Sequence, residues 1–232
     1  MVPKRQLKVS MPISTRDLSG LPNTRTLEKI TQSLAVLDAI MSPEWEYRYF
    51  SFNPKWDQPS GERMASMSNG SGDEYFLLFT VGGAILKGFD HECPMSTWPR
   101  TPNAVWPGVL DHVPEEFAAF LSEPAFNLKD TTFCIWKRSS DSAWQRGPIS
   151  FPEDQDPDGS ENLLSMLDGA PATYAEFAHD YFEKSPDVAA IEQVFKHQSL
   201  TPELVAKLDT EKDFAEALRD AEEIGYGLNP GS

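Results

Sequence analysis

Cysteine is scarce: Cys93 and Cys134 are the only two in 232 residues. They form no CxxC pair, which excludes a disulfide framework and a four-thiolate zinc site. Long apolar runs are also missing. The longest, around Phe76–Val81, falls far short of the ~20 residues that span a bilayer. The stretch Met1–Ser14 is basic but lacks the apolar run of ~7–15 residues that marks a secretory signal, so a reducing cytoplasm is the expected compartment. Positive charge is in short supply, with 20 Lys and Arg against 36 Asp and Glu, a net charge of −16. Such a body meets each phosphate of DNA, RNA or an anionic membrane with uncompensated negative charge. Neither nucleic acid nor a membrane is therefore an expected partner, and a basic protein is.

The common catalytic signatures are absent as well. There is no GxGxxG after a strand, no GxxxxGK[ST] and no HExxH, and Asn69-Gly-Ser-Gly72 has the wrong spacing for a GxSxG nucleophile elbow. No cofactor is expected and no catalytic residue is assigned. Cys134 lies in an apolar segment and reads as a packed, unreactive thiol, while a Cys93–His nucleophile has no local support.

What is present describes a globular chain. At 40% hydrophobic and 24% charged it can bury a core. Its charge is unevenly spread: +4 over residues 1–30, −6 over 31–150 and −14 over 151–232. Residues 1–24 read as a flexible basic arm. Residues 25–150 read as a helix and an antiparallel sheet, and 151–232 as an acidic helical region of the same globular unit.

Leu27, Ile30, Leu34, Leu37 and Met41 recur at helical spacing, with Thr24 or Thr26 as the cap and Ser42-Pro43 as the stop. Trp45–Phe52, Arg63–Ser68, Glu74–Val81 and Ala84–Phe89 read as strands. A loop at Asn53-Pro54 and turns at Asn69–Asp73 and Gly82-Gly83 separate them. Short turns force antiparallel pairing, so this is a meander of about four strands. Thr131–Lys137 and Trp144–Ile149 add two more. A short helix is expected at Pro114–Leu121, and helices near 160–168, 173–183, 187–197, 202–208 and 211–223. The fold class is α+β: an antiparallel sheet with an N-terminal helix and a C-terminal helical bundle packed on it.

Three groups of residues invite a functional reading. Asp154-Gln-Asp156-Pro-Asp158-Gly159 matches the first half of an EF-hand loop. Ser165 stands where the bidentate Glu should be, however, and Asp158 with Glu161 reads as a capping box, so no calcium site is expected. Asp90-His91-Glu92 has the residue types of a metal or acid–base site, but adjacent side chains in an extended segment point apart. It would need help from His112, His179, His197 or distant acids. Finally, residues 90–114 carry Pro94, Trp98, Pro99, Pro102, Trp106 and Pro107, too much proline for regular structure. Trp98 and Trp106 are either a hydrophobic lid on the sheet or recognition residues. Trp98, Trp106, Asp154, Asp156 and Asp158 are the expected partner-binding residues.

The runs Glu44–Asn53, Met64–Tyr75 and Lys87–Glu92 resemble uncharacterised bacterial proteins. Trp106–Leu121 is similar to a segment of the SUKH-type immunity superfamily, whose members neutralise polymorphic toxins by binding them. That resemblance covers about sixteen residues and transfers no site residue. It implies an immunity protein that masks a basic toxin or effector. The alternatives are a metal-assisted hydrolase using Asp90, His91 and Glu92, and a regulatory or structural domain without catalysis.

Overall fold

The amphipathic stripe at Leu27–Met41 forms helix α1, Thr24–Met41, in a computed structural model that describes residues 12–98, 100 and 103–227. Its cap is Asn23, whose side chain accepts from Thr26 N–H, rather than either threonine. From Ser33 to Met41 every residue of α1 is buried, Asp38 included. A surface helix buries one stripe, whereas one enclosed all round lies inside the protein. Here the sheet covers one flank and the C-terminal helices cover the rest.

The first strand does not start at Trp45. Trp45–Tyr47 form a single 3-10 turn, and β1 runs Phe50–Asp57. The Asp38 carboxylate gathers the N–H groups of Tyr49 and Phe50, at 2.8 and 2.9 Å, so α1 itself sets the strand's start. The expected loop at Asn53-Pro54 is strand. β1 is an edge strand, where proline costs no ladder bond, and its register with the next strand shifts between Asn53 and Asp57.

Strands β2 (Glu62–Ser68), β3 (Glu74–Thr80), β4 (Gly83–Phe89), β5 (Phe133–Arg138) and β6 (Gln145–Arg146) complete one six-stranded antiparallel sheet in sequence order. The tight turn after β3 is Val81-Gly82, one residue earlier than expected, because Gly83 already pairs with Thr80. The last strand stops after two residues, just ahead of Gly147-Pro148.

The sheet is covered on both faces. Alternation sends Tyr75, Leu77, Phe79, Leu86, Phe133 and Ile135 to one face. There they meet α1 and the helices α3 (Ser160–Leu163), α4 (Pro171–Phe182), α5 (Val188–Phe195), α6 (Pro202–Leu208) and α7 (Phe214–Ile224). Leu78, Ile85, Cys134 and Trp136 point to the other face. They are covered by Met95, Val109, Phe117, Phe120 and Phe126, from the irregular 90–130 segment and its short helix α2 (Ala118–Ser122). α2 follows a 3-10 turn at Glu115–Phe117, so the expected helix is split.

Of the expected basic arm, residues 1–11 lie outside the described residues. The rest is not an arm: Ile13, Thr15 and Leu21 are buried, and the Arg146 and Trp144 side chains hold the carbonyls of Thr15 and Pro22. No helix among the described residues is long and apolar enough to cross a membrane.

Candidate functional site

The turn before β3 and the loop after β4 lie at one end of the sheet. The β3–β4 register pairs Glu74 with Phe89, which sets Asp73 beside Asp90 and His91. Asn69 shapes the turn: its Oδ1 accepts from the Ser71 and Asp73 N–H groups, and its Nδ2 donates to Asp73 Oδ2 at 2.6 Å. Asp73 Oδ1 then accepts from His91 twice, from the backbone N–H at 2.9 Å and from Nδ1 at 2.7 Å. The ring bond to Asp73, chiefly, raises the His91 pKa above its ordinary value. Burial pushes the Asp73 carboxyl up, but the bonds from His91 and Asn69 outweigh it and leave its pKa lowered.

Trp98 lies against this pair. Its ring centroid is 5.5 Å from His91 and 5.2 Å from Phe89, and its Nε1–H donates to Asp130 Oδ1 at 3.1 Å. Gly72, at φ +115°, lets the indole approach the turn, since a Cβ there would sit 3.3 Å from it. Asp130 is fixed in turn by the buried Lys87, whose Nζ donates to its carbonyl at 2.7 Å and also pairs with Glu74 at 3.4 Å. Despite these restraints Trp98 is 52% exposed.

The acidic turn docks beside the same group. Met95 N–H donates to Pro157 O at 2.9 Å, and Gly159, at φ +74°, packs on Asp90 so closely that any Cβ would overlap it. The three expected carboxylates do not converge. Asp154, exposed, accepts from Asp156 N–H. Asp156 caps α3, accepting from Glu161 and Asn162 N–H at 3.1 and 3.0 Å, in place of the expected Asp158. Asp158 is 1% exposed and holds Ser160 and the Thr15 hydroxyl, so it is not a surface residue. Burial raises its pKa against these bonds.

Asp90, His91 and Glu92 do not form a common cup either. Asp90 Oδ1 accepts from the Glu92 and Cys93 N–H groups, while His91 Nδ1 is held by Asp73. Among the described residues no group of three or more His, Cys, Asp and Glu is placed to hold a metal ion. Both thiols are pushed up to about 12 by burial, against the thiolate that a nucleophile needs.

The two tryptophans of the proline-rich loop part company. Trp106 is half-buried against the second core, donates to Ser150 O at 3.1 Å and carries the Arg100 guanidinium over its ring at 5.1 Å. It is a lid residue. Trp98 is the exposed one. Pro99 and Pro102 of this loop lie outside the described residues.

Sequence reasoning missed Asp73, Asn69 and Asp130. For Asp73 the signal was available: counting back from a two-residue hairpin turn at Val81-Gly82 sets it opposite Asp90. Nothing local pairs Asp130 with Trp98. Neither protein-family models, nor curated proteins, nor solved structures show a match to this chain.

Proposed function

We propose that this chain is a cytoplasmic binding protein that neutralises a basic toxin or effector by direct contact, in the manner implied by the resemblance of Trp106–Leu121 to the immunity superfamily. The observation that carries the reading is Trp98, half exposed yet held by Phe89, His91 and Asp130. Such an aromatic side chain loses little freedom on binding, which is the property of an interface anchor. The carboxylates near it are Asp130, which accepts from its Nε1–H, and Asp73, Asp90 and Glu92 around the His91 ring it packs on, while Asp154 and Asp156 belong to the turn that docks at Met95. They steer a cationic surface inward and disfavour acidic competitors. Trp106 and Asp158 drop out of the expected contact set, one as a lid and one as a core residue.

The test uses the immobilised chain, wild type and Trp98→Ala, against the basic protein that the wild type retains. Association should slow as salt rises, because screening within roughly 8 Å weakens the steering. Trp98→Ala should dissociate faster, costing about 2 kcal/mol or more. An acidic partner overturns the electrostatic argument, and wild-type dissociation from Trp98→Ala overturns the choice of surface.

A further inference from the structure

Far from the acidic end, the first two turns of α1, the β1–β2 edge and the C-terminal end of α5 enclose a cavity of about 290 Å³. Its charged lining runs against the rest of the molecule. Among the described residues, Arg25, Lys29, Arg63 and Lys196 line it with a single carboxylate, Glu28, in a chain that holds 36 acids to 20 bases. Glu28 is already committed to Arg63, with Nε–Oε1 at 2.7 Å and Nη2–Oε2 at 3.2 Å. Lys196 also pairs with Glu192, at 2.7 Å, across an exposed helix turn. Arg25 and Lys29 enter no ion pair among the described residues.

The placement of Arg25 and Lys29 works against the helix that carries them. They are like charges four residues apart, which repel across one turn. They also sit in the opening turns of α1, the positive end of its dipole, where no acidic residue stands in the first turn to offset them. Local choices that oppose the fold are expected where function demands them. The walls, meanwhile, are firmly built. His197 Nε2 bonds to the Lys29 carbonyl at 3.0 Å, its ring lies 4.7 Å from Tyr226, and Gln32 donates to Gly225 O at 3.3 Å.

We propose that this cavity is a binding site for a small, multiply charged phosphorylated anion. Cations supplied by three separate elements approach a ligand from several directions, which suits a tetrahedral oxyanion better than a planar carboxylate. Arg63 contributes a guanidinium with more N–H donors than its bonds to Glu28 and Gly61 use. The volume is many times the roughly 10–15 Å³ that one water needs, and lies near the lower end of ligand pockets, about 300 Å³. It accommodates a phosphate together with a small organic group. Binding here relieves the repulsion between Arg25 and Lys29, so it also stabilises α1.

Calorimetry with inorganic pyrophosphate on the full chain at low ionic strength tests the site. One saturable site is expected, weakening with added salt. The double variant Arg25→Ala/Lys29→Ala should lose affinity by about tenfold or more, since charge-assisted bonds are the strong ones. Its melting temperature without ligand should hold or rise, because a repulsive pair is gone. Lys129→Ala/Lys207→Ala, at two exposed lysines that do not line the cavity, removes the same two positive charges and should bind as the wild type does. No saturation by millimolar pyrophosphate, or an equal loss in Lys129→Ala/Lys207→Ala, overturns the site. Citrate bound as tightly as pyrophosphate overturns the phosphate assignment.

Discussion

On one face of the sheet, α1 and the C-terminal helices bury a continuous set of aliphatic and aromatic side chains around Leu34, Leu37, Leu77 and Ile191. On the other face, Met95 and Val109 from irregular loop, with Phe117 and Phe120 from a 3-10 turn and the short α2, do the same. The difference lies in where the backbone polar groups go. Helices satisfy their own N–H and C=O groups, so that layer needs few special residues, Asp38 being the chief exception. The irregular layer satisfies its own through side chains: Asp73, Asp90, Arg100 and Lys87 each hold loop backbone. A loop layer built this way can leave a tryptophan both fixed and exposed, which a helical layer whose apolar face is buried does not do here.

The hardest test of that contrast is Asp38. It is fully buried, and it accepts from Tyr49 N–H, Phe50 N–H and the Tyr174 hydroxyl at 2.8 Å. Asp38→Ala strands all three donors, so denaturant unfolding should show a loss of about 3–5 kcal/mol. Its own charge is also costly: burial pushes the Asp38 carboxyl up to about 7. A carboxyl with a raised pKa in the fold takes up protons on folding. The wild type should therefore lose stability as pH rises from the ordinary carboxylate range through about 7. Asp38→Asn should reduce that slope and leave the share that His91 contributes. An unchanged slope in Asp38→Asn assigns it to another group.

The paired tryptophans sharpen the comparison at intermediate size. Trp106→Ala opens a gap beneath the lid and should cost about 2 kcal/mol, lowering the melting temperature by roughly 4–8 °C. Trp98→Ala should leave the melting temperature within about 2 °C, since half of the ring already faces solvent. Equal losses in the two variants would make Trp98 a lid as well and remove the contact surface.

The smallest expected effect concerns the Asp73–His91 clamp. With the His91 pKa raised, the protonated pair contributes below the ordinary histidine value and is lost as pH rises through the raised one. With the Asp73 pKa lowered, its contribution is present above the ordinary carboxylate value and lost as pH falls through the lowered one. The charged pair is thus intact in the window between. An NMR titration should find the His91 pKa returned toward about 6.5 in Asp73→Asn. An unchanged titration would show that Asp73 does not set it.

The helical layer was largely legible in the sequence, and the irregular layer was not. Periodic apolar spacing marks α1 and α4–α7 because each helix repeats one rule every turn. Trp45–Tyr47 misled, since aromatic alternation favours a strand while Asp38, from the preceding helix, sets where pairing begins. At the acidic end, Asp90, His91 and Trp98 were singled out by type, but the acids that position them were not.

The sequence alone determined the α+β class, the antiparallel meander and the acidic balance, because residue period, turn chemistry and charge are local or additive properties. Tertiary structure alone decided which carboxylates are surface and which are core, separating Asp154 from Asp158 within one turn. It also decided which of the two loop tryptophans is exposed, and that Arg25, Lys29, Arg63 and Lys196 meet around one cavity. Those outcomes depend on which distant segments pack together. Burial and electrostatic environment are properties of neighbours in space, and a strongly negative chain can still gather four of its 20 cations in one place.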